Sequence, residues 1–301
     1  VWTSRGSLLW ANDRRHPYFT AECWLSEGFT VTRNIFLTYG SNGFEENARL
    51  LRASAEKCGF DAAECLGFDS IAETEFARRN RAILSSKRGG GFWAWKSYLI
   101  RERVKRLEQD EVLLYSDAGR SAYYRFTRLP KGLLEQTARS QQGFLTGVSI
   151  PHLNHVGQWT KRDCLKIMAA DTLMMHKKPL VQATWSIWTK TQPALDFLDA
   201  WVYFSEDARC ITDEPNTLGD DNLAGFVDHR HDQSISSILT HQRNAPHLEF
   251  SGKIVQRLLN MRPRSELAQT FFKRIQNADD LVRGATPAVL IREYLRLRTF
   301  R

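Results

Sequence analysis

Nowhere in its 301 residues does the sequence carry an apolar run approaching the roughly 18 to 20 residues that a membrane-spanning helix needs. Cysteine is sparse: Cys23, Cys58, Cys65, Cys164 and Cys210 are scattered, odd in number and never spaced Cys-x-x-Cys. Neither a zinc site nor a disulfide framework fits that pattern, and a reducing cytoplasm is the simpler expectation. The phosphate-binding Gly-x-x-x-x-Gly-Lys-Ser/Thr pattern is missing. So are zinc-finger, helix-turn-helix and RNP signatures, which weakens a nucleic-acid reading. There is no internal repeat and no low-complexity linker.

What remains has the composition of an ordinary globular protein, 42% hydrophobic and 25% charged. The formal charge of +8 favours acidic partners such as nucleotide phosphates, anionic headgroups or nucleic acid. Much of the basic excess lies late, from Lys253 and Arg257 to Arg298 and Arg301.

Periodicity organises the middle of the chain. Ile35 to Tyr39 is a short apolar run ending at Gly40-Ser41-Asn42-Gly43, as a buried strand entering a tight turn would be. Phe44 to Cys58 has helical spacing with Gly59 as its stop, and Ala63 to Phe68 reads as a second strand. A helix is expected from the Phe92-Trp93-Ala94-Trp95-Lys96 segment to Leu107, and a strand over Glu111–Tyr115 that stops at Ser116-Asp117-Ala118-Gly119. Further on, helices are expected over Leu133–Arg139, Lys161–Ala170, Gln192–Phe204 and from His229 through Leu239. Gly143–Ile150 reads as a strand and Leu180–Trp188 as an extended segment. The fold class that follows is α/β: a Rossmann-like mixed sheet flanked by helices, with a helical, basic C-terminal tail. The expected division is an N-terminal extension over 1–33, a main domain over 34–251 and the tail over 252–301.

Four places carry residues suited to chemistry. Asp117 ends the strongest strand, where ligands bind in open α/β sheets, and one carboxylate with phosphates and water can hold Mg²⁺ or Mn²⁺. Arg79, Lys87, Arg88, Gly89-Gly90-Gly91 and Lys96 combine close backbone approach with positive charge. His229-Arg230-His231-Asp232-Gln233-Ser234 opens a helix, with Asp232 as cap or acid and either histidine near a metal or a diphosphate. Asp213, Glu214, Asp220 and Asp221 lie on a polar loop and offer general bases, of which Glu214 is the candidate.

Taken in order, Tyr39-Gly40-Ser41, Phe92-Trp93-Ala94-Trp95-Lys96, Tyr115-Ser116-Asp117-Ala118-Gly119 and His231-Asp232-Gln233-Ser234 resemble bacterial nucleotide-sugar-dependent glycosyltransferases of the GT-A type, as found with polysaccharide or lipopolysaccharide genes. The resemblance covers about residues 34–240. It implies a UDP- or GDP-sugar donor across the first half of the sheet and a glycan or lipid-linked saccharide as acceptor. It also implies Mn²⁺ or Mg²⁺ at Asp117, with Tyr39, Gly40, Ser41 and Ser116 around the nucleotide and Arg79 and Lys96 near the donor. His231 and Asp232 would lie near the diphosphate or the acceptor. Two departures stand out: Gly119 occupies the place of a second acid, and Ser97 stands where Pro is usual. A methyltransferase using S-adenosylmethionine is the rival enzyme, since Tyr39-Gly40-Ser41-Asn42-Gly43 follows a first strand and Asp69 a second. A nucleic-acid-binding protein is the rival from another class. The tail also suggests peripheral membrane contact, because Leu290, Ile291, Tyr294, Leu295 and Leu297 interleave with Arg292, Arg296 and Arg298.

Overall fold

A computed structural model describes residues 31–119, 125–149 and 154–249. The expected extension and basic tail lie almost wholly outside the described residues. Two mixed sheets and the helices around them make an α/β protein.

The larger sheet has the order β2 (Ala62–Leu66), β1 (Arg33–Tyr39), β3 (Glu111–Ser116), β7 (Trp185–Trp188) and β4 (Phe144–Leu145). β1 pairs parallel with both β2 and β3, whereas β7 runs antiparallel to β3 and to β4. Every residue of β3, and Ile35 to Tyr39 of β1, is buried, which is why these segments read as unbroken apolar runs rather than alternating ones. Alternation reappears in the packing. Ile35, Leu37, Leu113 and Tyr115 face one core, and Phe36, Val112 and Leu114 face the other.

Five helices of eight residues or more cover these faces among the described residues: α1 (Glu45–Lys57), α2 (Ala94–Lys105), α3 (Lys131–Ala138), α4 (Gln192–Ser205) and α5 (His231–Gln242). α1 and α3 supply Leu51, Ala55, Leu133 and Leu134 to the Phe36 side. α2, α4 and α5 supply Leu99, Ile100, Phe197, Trp201, Ile235 and Ile238 to the other. α4 shows how directly sequence sets an element. The Thr191 hydroxyl accepts from the Ala194 N–H, Pro193 sits in the first turn, and Ala194, Phe197, Leu198, Trp201 and Val202 form one buried stripe.

Two expected strands divide. Gly143–Ile150 becomes β4 and β5 (Val148–Ser149), and Leu180–Trp188 becomes β6 (Val181–Gln182) and β7. The halves go to different sheets, since β5 pairs with β6 and with β8 (Leu248–Glu249) in a small second sheet. Gly147 marks the break: its φ is +139°, and a Cβ there would lie 2.1 Å from the Gln182 carbonyl oxygen. No side chain fits that crossing. Short helices over Asp69–Ala72, Glu75–Arg79 and Arg81–Leu84 fill a stretch that carries no clear period. No helix among the described residues is long and apolar enough to cross a membrane.

The topology selects one edge of the larger sheet. From β1 the chain crosses through α1 to β2 on one side, then returns to β3 on the other. Connections therefore diverge between the C-terminal ends of β1 and β3, which is where open α/β sheets leave a ligand crevice.

Candidate active site

The approach to that crevice is a left-handed turn. Gly89, Gly90, Gly91, Phe92 and Trp93 have consecutive φ values of +59°, +60°, +100°, +53° and +58°. For Phe92 and Trp93 this conformation costs about 1–2 kcal/mol each. Packing explains why the turn persists. Gly90 sits against Ser41 and Asn42 of the loop after β1, and Gly91 against the Leu84 backbone. The Trp95 indole N–H donates to the Gly89 carbonyl at 3.0 Å, and its ring stacks on Tyr39 with centroids 3.8 Å apart. α2 thus starts at a fixed place beside the end of β1.

One consequence is the position of Lys96, in the first turn of α2 and only 2% exposed. Its ammonium lies 3.1 Å from both carboxylate oxygens of Asp117, donates to the Ala183 carbonyl at 3.1 Å, and lies 2.7 Å from Asp232 Oδ2. The contact with Asp232 is an ion pair whose angles fall short of a hydrogen bond. The Tyr115 hydroxyl donates to Asp117 Oδ1 at 2.6 Å. Asp117 is the outermost member, its side chain 22% exposed at the end of β3. The sequence therefore joins α2, β3 and the N-terminus of α5 through a single buried ammonium.

Burial opposes the charge on Lys96, but Asp117 and Asp232 together hold its pKa above the ordinary value. Burial pushes Asp232 up to about 6; Lys96 pulls it down, and Asp117 adds to the rise. The Tyr115 hydroxyl is raised by burial and by Asp117, and stays protonated as a donor. Above about pH 6 the three charged side chains carry one positive and two negative charges, a net negative centre of low solvent access.

The raised Asp232 pKa has a definite sign. An acid whose folded pKa exceeds the unfolded value of about 3.9 contributes stability that is full below that value and lost as pH rises through the folded pKa. In urea melts, the stability of Asp232→Asn relative to wild type is expected to rise from pH 4 to pH 7, because the amide has no such loss. A flat difference across that range would mean that Asp232 titrates as an ordinary surface acid.

Beside this centre stand two buried histidines. His229 is fully committed: Nε2 pairs with the Cys210 carbonyl at 2.8 Å, and Nδ1 accepts from the Lys161 N–H at 3.3 Å. Burial, then His231, keep its pKa well below normal. His231 has φ +49°, stacks on Trp93 and packs against Phe92. Its Nδ1 donates to the Ile211 carbonyl at 2.9 Å, leaving Nε2 as a buried lone pair without a hydrogen-bond partner.

The structure brings together Lys96, Asp117 and Asp232, with His231 next to Asp232 in the chain. Tyr39, Gly40, Ser41 and Ser116 lie at the ends of β1 and β3. Gly40 admits no Cβ, which would lie 2.7 Å from that of Ala48, so strand and helix approach closely there. Ser116 is buried, its carbonyl accepting from the Thr38 hydroxyl. The Tyr39 ring is buried under Trp95 rather than presented to a ligand. Arg79 is drawn elsewhere, pairing with Glu75 and Glu206 at 3.0 Å each. Glu214 is exposed on the loop after Ile211, where its carbonyl accepts from Lys161 Nζ at 2.6 Å.

Sequence reading passes over the Tyr115 hydroxyl, two residues before Asp117, and Asp228, which shares the Arg88 guanidinium with Asp213 at 2.9 and 2.8 Å. Strand alternation was the available signal for Tyr115, since residues 115 and 117 point to the same side. No local signal pairs Arg88 with two acids more than a hundred residues away. No family model matches the chain, and no curated protein matches it.

Proposed function

We propose that the protein is a glycosyltransferase of GT-A type that moves a sugar from a UDP- or GDP-sugar to a hydroxyl of a glycan or lipid-linked acceptor. One observation carries the reading: a charged centre of Lys96, Asp117 and Asp232 lies at the C-terminal edge of the sheet, beside the crevice between β1 and β3. Transfer to a hydroxyl builds negative charge on the departing diphosphate, and a net negative centre at that edge would hold the divalent cation that neutralises it. The mixed sheet, three parallel strands followed by an antiparallel β7, suits the same reading.

Asp117 fits the role of a single carboxylate ligand, because it is the exposed member and its orientation is fixed from two sides. Among the described residues no three acidic, histidine or cysteine side chains converge on one point, so phosphate oxygens would complete the shell of Mn²⁺ or Mg²⁺. Such an ion supplies charge neutralisation to the leaving group. Lys96 keeps Asp117 and Asp232 together, Tyr115 orients Asp117, and the Ser41 loop flanks the crevice. In this proposal the protein works in the cytoplasm, with the basic tail available for peripheral contact with a membrane that carries the acceptor.

A thermal-shift comparison of UDP, GDP, CMP and S-adenosylmethionine, with and without Mn²⁺, tests the reading. One nucleoside diphosphate is expected to raise the melting temperature of wild type in a Mn²⁺-dependent manner and to leave Asp117→Asn unshifted. A shift with S-adenosylmethionine alone, or none with any nucleotide at millimolar concentration, would overturn it.

A further inference from the structure

Next to the charged centre, Ile83, Phe92, Ala208, Thr212, Asp213 and Glu214 line a cavity of about 360 Å³. That is at the small end for organic ligands. Phe92, Ile83 and Ala208 give it apolar surface, and Asp213 and Glu214 supply two carboxylates. We infer that this cavity is a binding site for a single sugar ring, with the ring's C–H face on the apolar surface and its hydroxyls donating to Asp213 and Glu214. Calling it the acceptor subsite rests on the transferase reading; sugar binding itself does not.

Three observations support the assignment beyond the pair of acids. First, His231 lies against two of the cavity's walls, 5.1 Å from the Phe92 ring and with Nε2 3.6 Å from Asp213 Oδ1. It is 2% exposed, and Nε2 has no hydrogen-bond partner. Because Nδ1 carries the proton to Ile211, a lone pair faces a carboxylate oxygen with no donor between them. Asp213 Oδ1 therefore takes no hydrogen from His231, and the hydroxyl of a ligand in the cavity can donate to it. Second, the other oxygen of Asp213 is already occupied, accepting from Arg88 at 2.8 Å, so the carboxylate is oriented with Oδ1 left for a donor.

Third, the rim is built on buried charges. Lys161 Nζ donates to the Thr212 and Glu214 carbonyls at 3.4 and 2.6 Å. Asp163, fully buried, accepts from the N–H groups of Thr217 and Leu218 at 2.6 and 3.1 Å and from the Thr217 hydroxyl at 2.9 Å. A loop that only had to cover surface needs no two buried ionic anchors. Preorganising carboxylates for a ligand gives a reason for them.

Saturation-transfer NMR with the methyl glycosides of glucose, galactose and mannose, and with sorbitol as a linear control, tests the inference on the whole chain. At least one pyranoside is expected to receive saturation and to titrate with millimolar affinity, while sorbitol does not. Glu214→Gln, on an exposed rim position, and Asp213→Asn are each expected to weaken binding by about tenfold, as loss of a hydrogen bond to a charged acceptor does. Silence of all three glycosides on wild type, or equal binding to the Asp213→Asn/Glu214→Gln double variant, would overturn the inference. The nucleoside-diphosphate thermal shift is read on the same samples. If it persists while glycosides fail, the cavity assignment falls and the transferase reading stands; glycoside binding without any nucleotide shift has the opposite meaning.

Discussion

Lys96→Met is expected to lower stability by about 3–5 kcal/mol, the usual cost of removing one partner from a buried ion cluster. Methionine nearly matches the lysine stem in volume, so the loss is electrostatic rather than a matter of packing. Without the ammonium, Asp117 and Asp232 face each other across a site of low solvent access, and the Ala183 carbonyl loses its donor. Asp232, already raised to about 6 beside a cation, would protonate at still higher pH. The combination Lys96→Met/Asp232→Asn separates structure from function. Replacing the buried acid by a neutral amide is expected to recover much of the stability in urea melts. For the proposed transferase, sugar transfer is expected to stay down by about a hundredfold or more in both variants, because neither restores the ammonium that holds Asp117. If the single variant melts with wild type, the cluster is not the buried ionic centre described above. If the double variant regains transfer with its stability, Lys96 is structural only.

The legible parts of this fold were those in which one local rule sufficed. β1 and β3 are buried on both faces, so their continuous apolar runs could be read directly; α1 and α4 carry helical stripes with ordinary starts and stops. Asp117 was legible for the same reason, as the residue at which the strongest strand ends. What sequence could not give was partnership. Lys96 reads as one basic residue among several and Asp232 as a helix cap or an acid; only tertiary packing places these two residues, far apart in the chain, within 2.7 Å of each other. The division of 143–150 and 180–188 between two sheets was hidden because two-residue strands are shorter than any period. Gly147 was the one mark of it. Arg79 is a similar case: its charge suggested a ligand, and its pairing with Glu206, 127 residues away, is visible only in the fold.

Gly91→Ala is expected to be damaging in the loop before α2, and a second glycine makes the claim measurable. Gly59, at the end of α1, has φ +92° and open space around an added Cβ. Gly91 has a similar φ of +100°, but its Cβ would lie 2.7 Å from Leu84 Cα and 2.9 Å from Leu84 Cδ2. Both substitutions place alanine in the left-handed region at a cost of about 1–3 kcal/mol. Only Gly91→Ala adds a clash with backbone, about 1–3 kcal/mol more if the neighbours shift as they do in an overpacked core. The difference between the two variants in urea melts therefore reads the packing of the turn apart from its dihedral strain. The turn also fixes where α2 starts and hence where Lys96 meets Asp117, so Gly91→Ala is expected to lose the nucleoside-diphosphate thermal shift, whereas Gly59→Ala keeps it. Equal destabilisation by the two, with the shift intact in both, would mean that the left-handed turn tolerates displacement and that Lys96 reaches Asp117 without it.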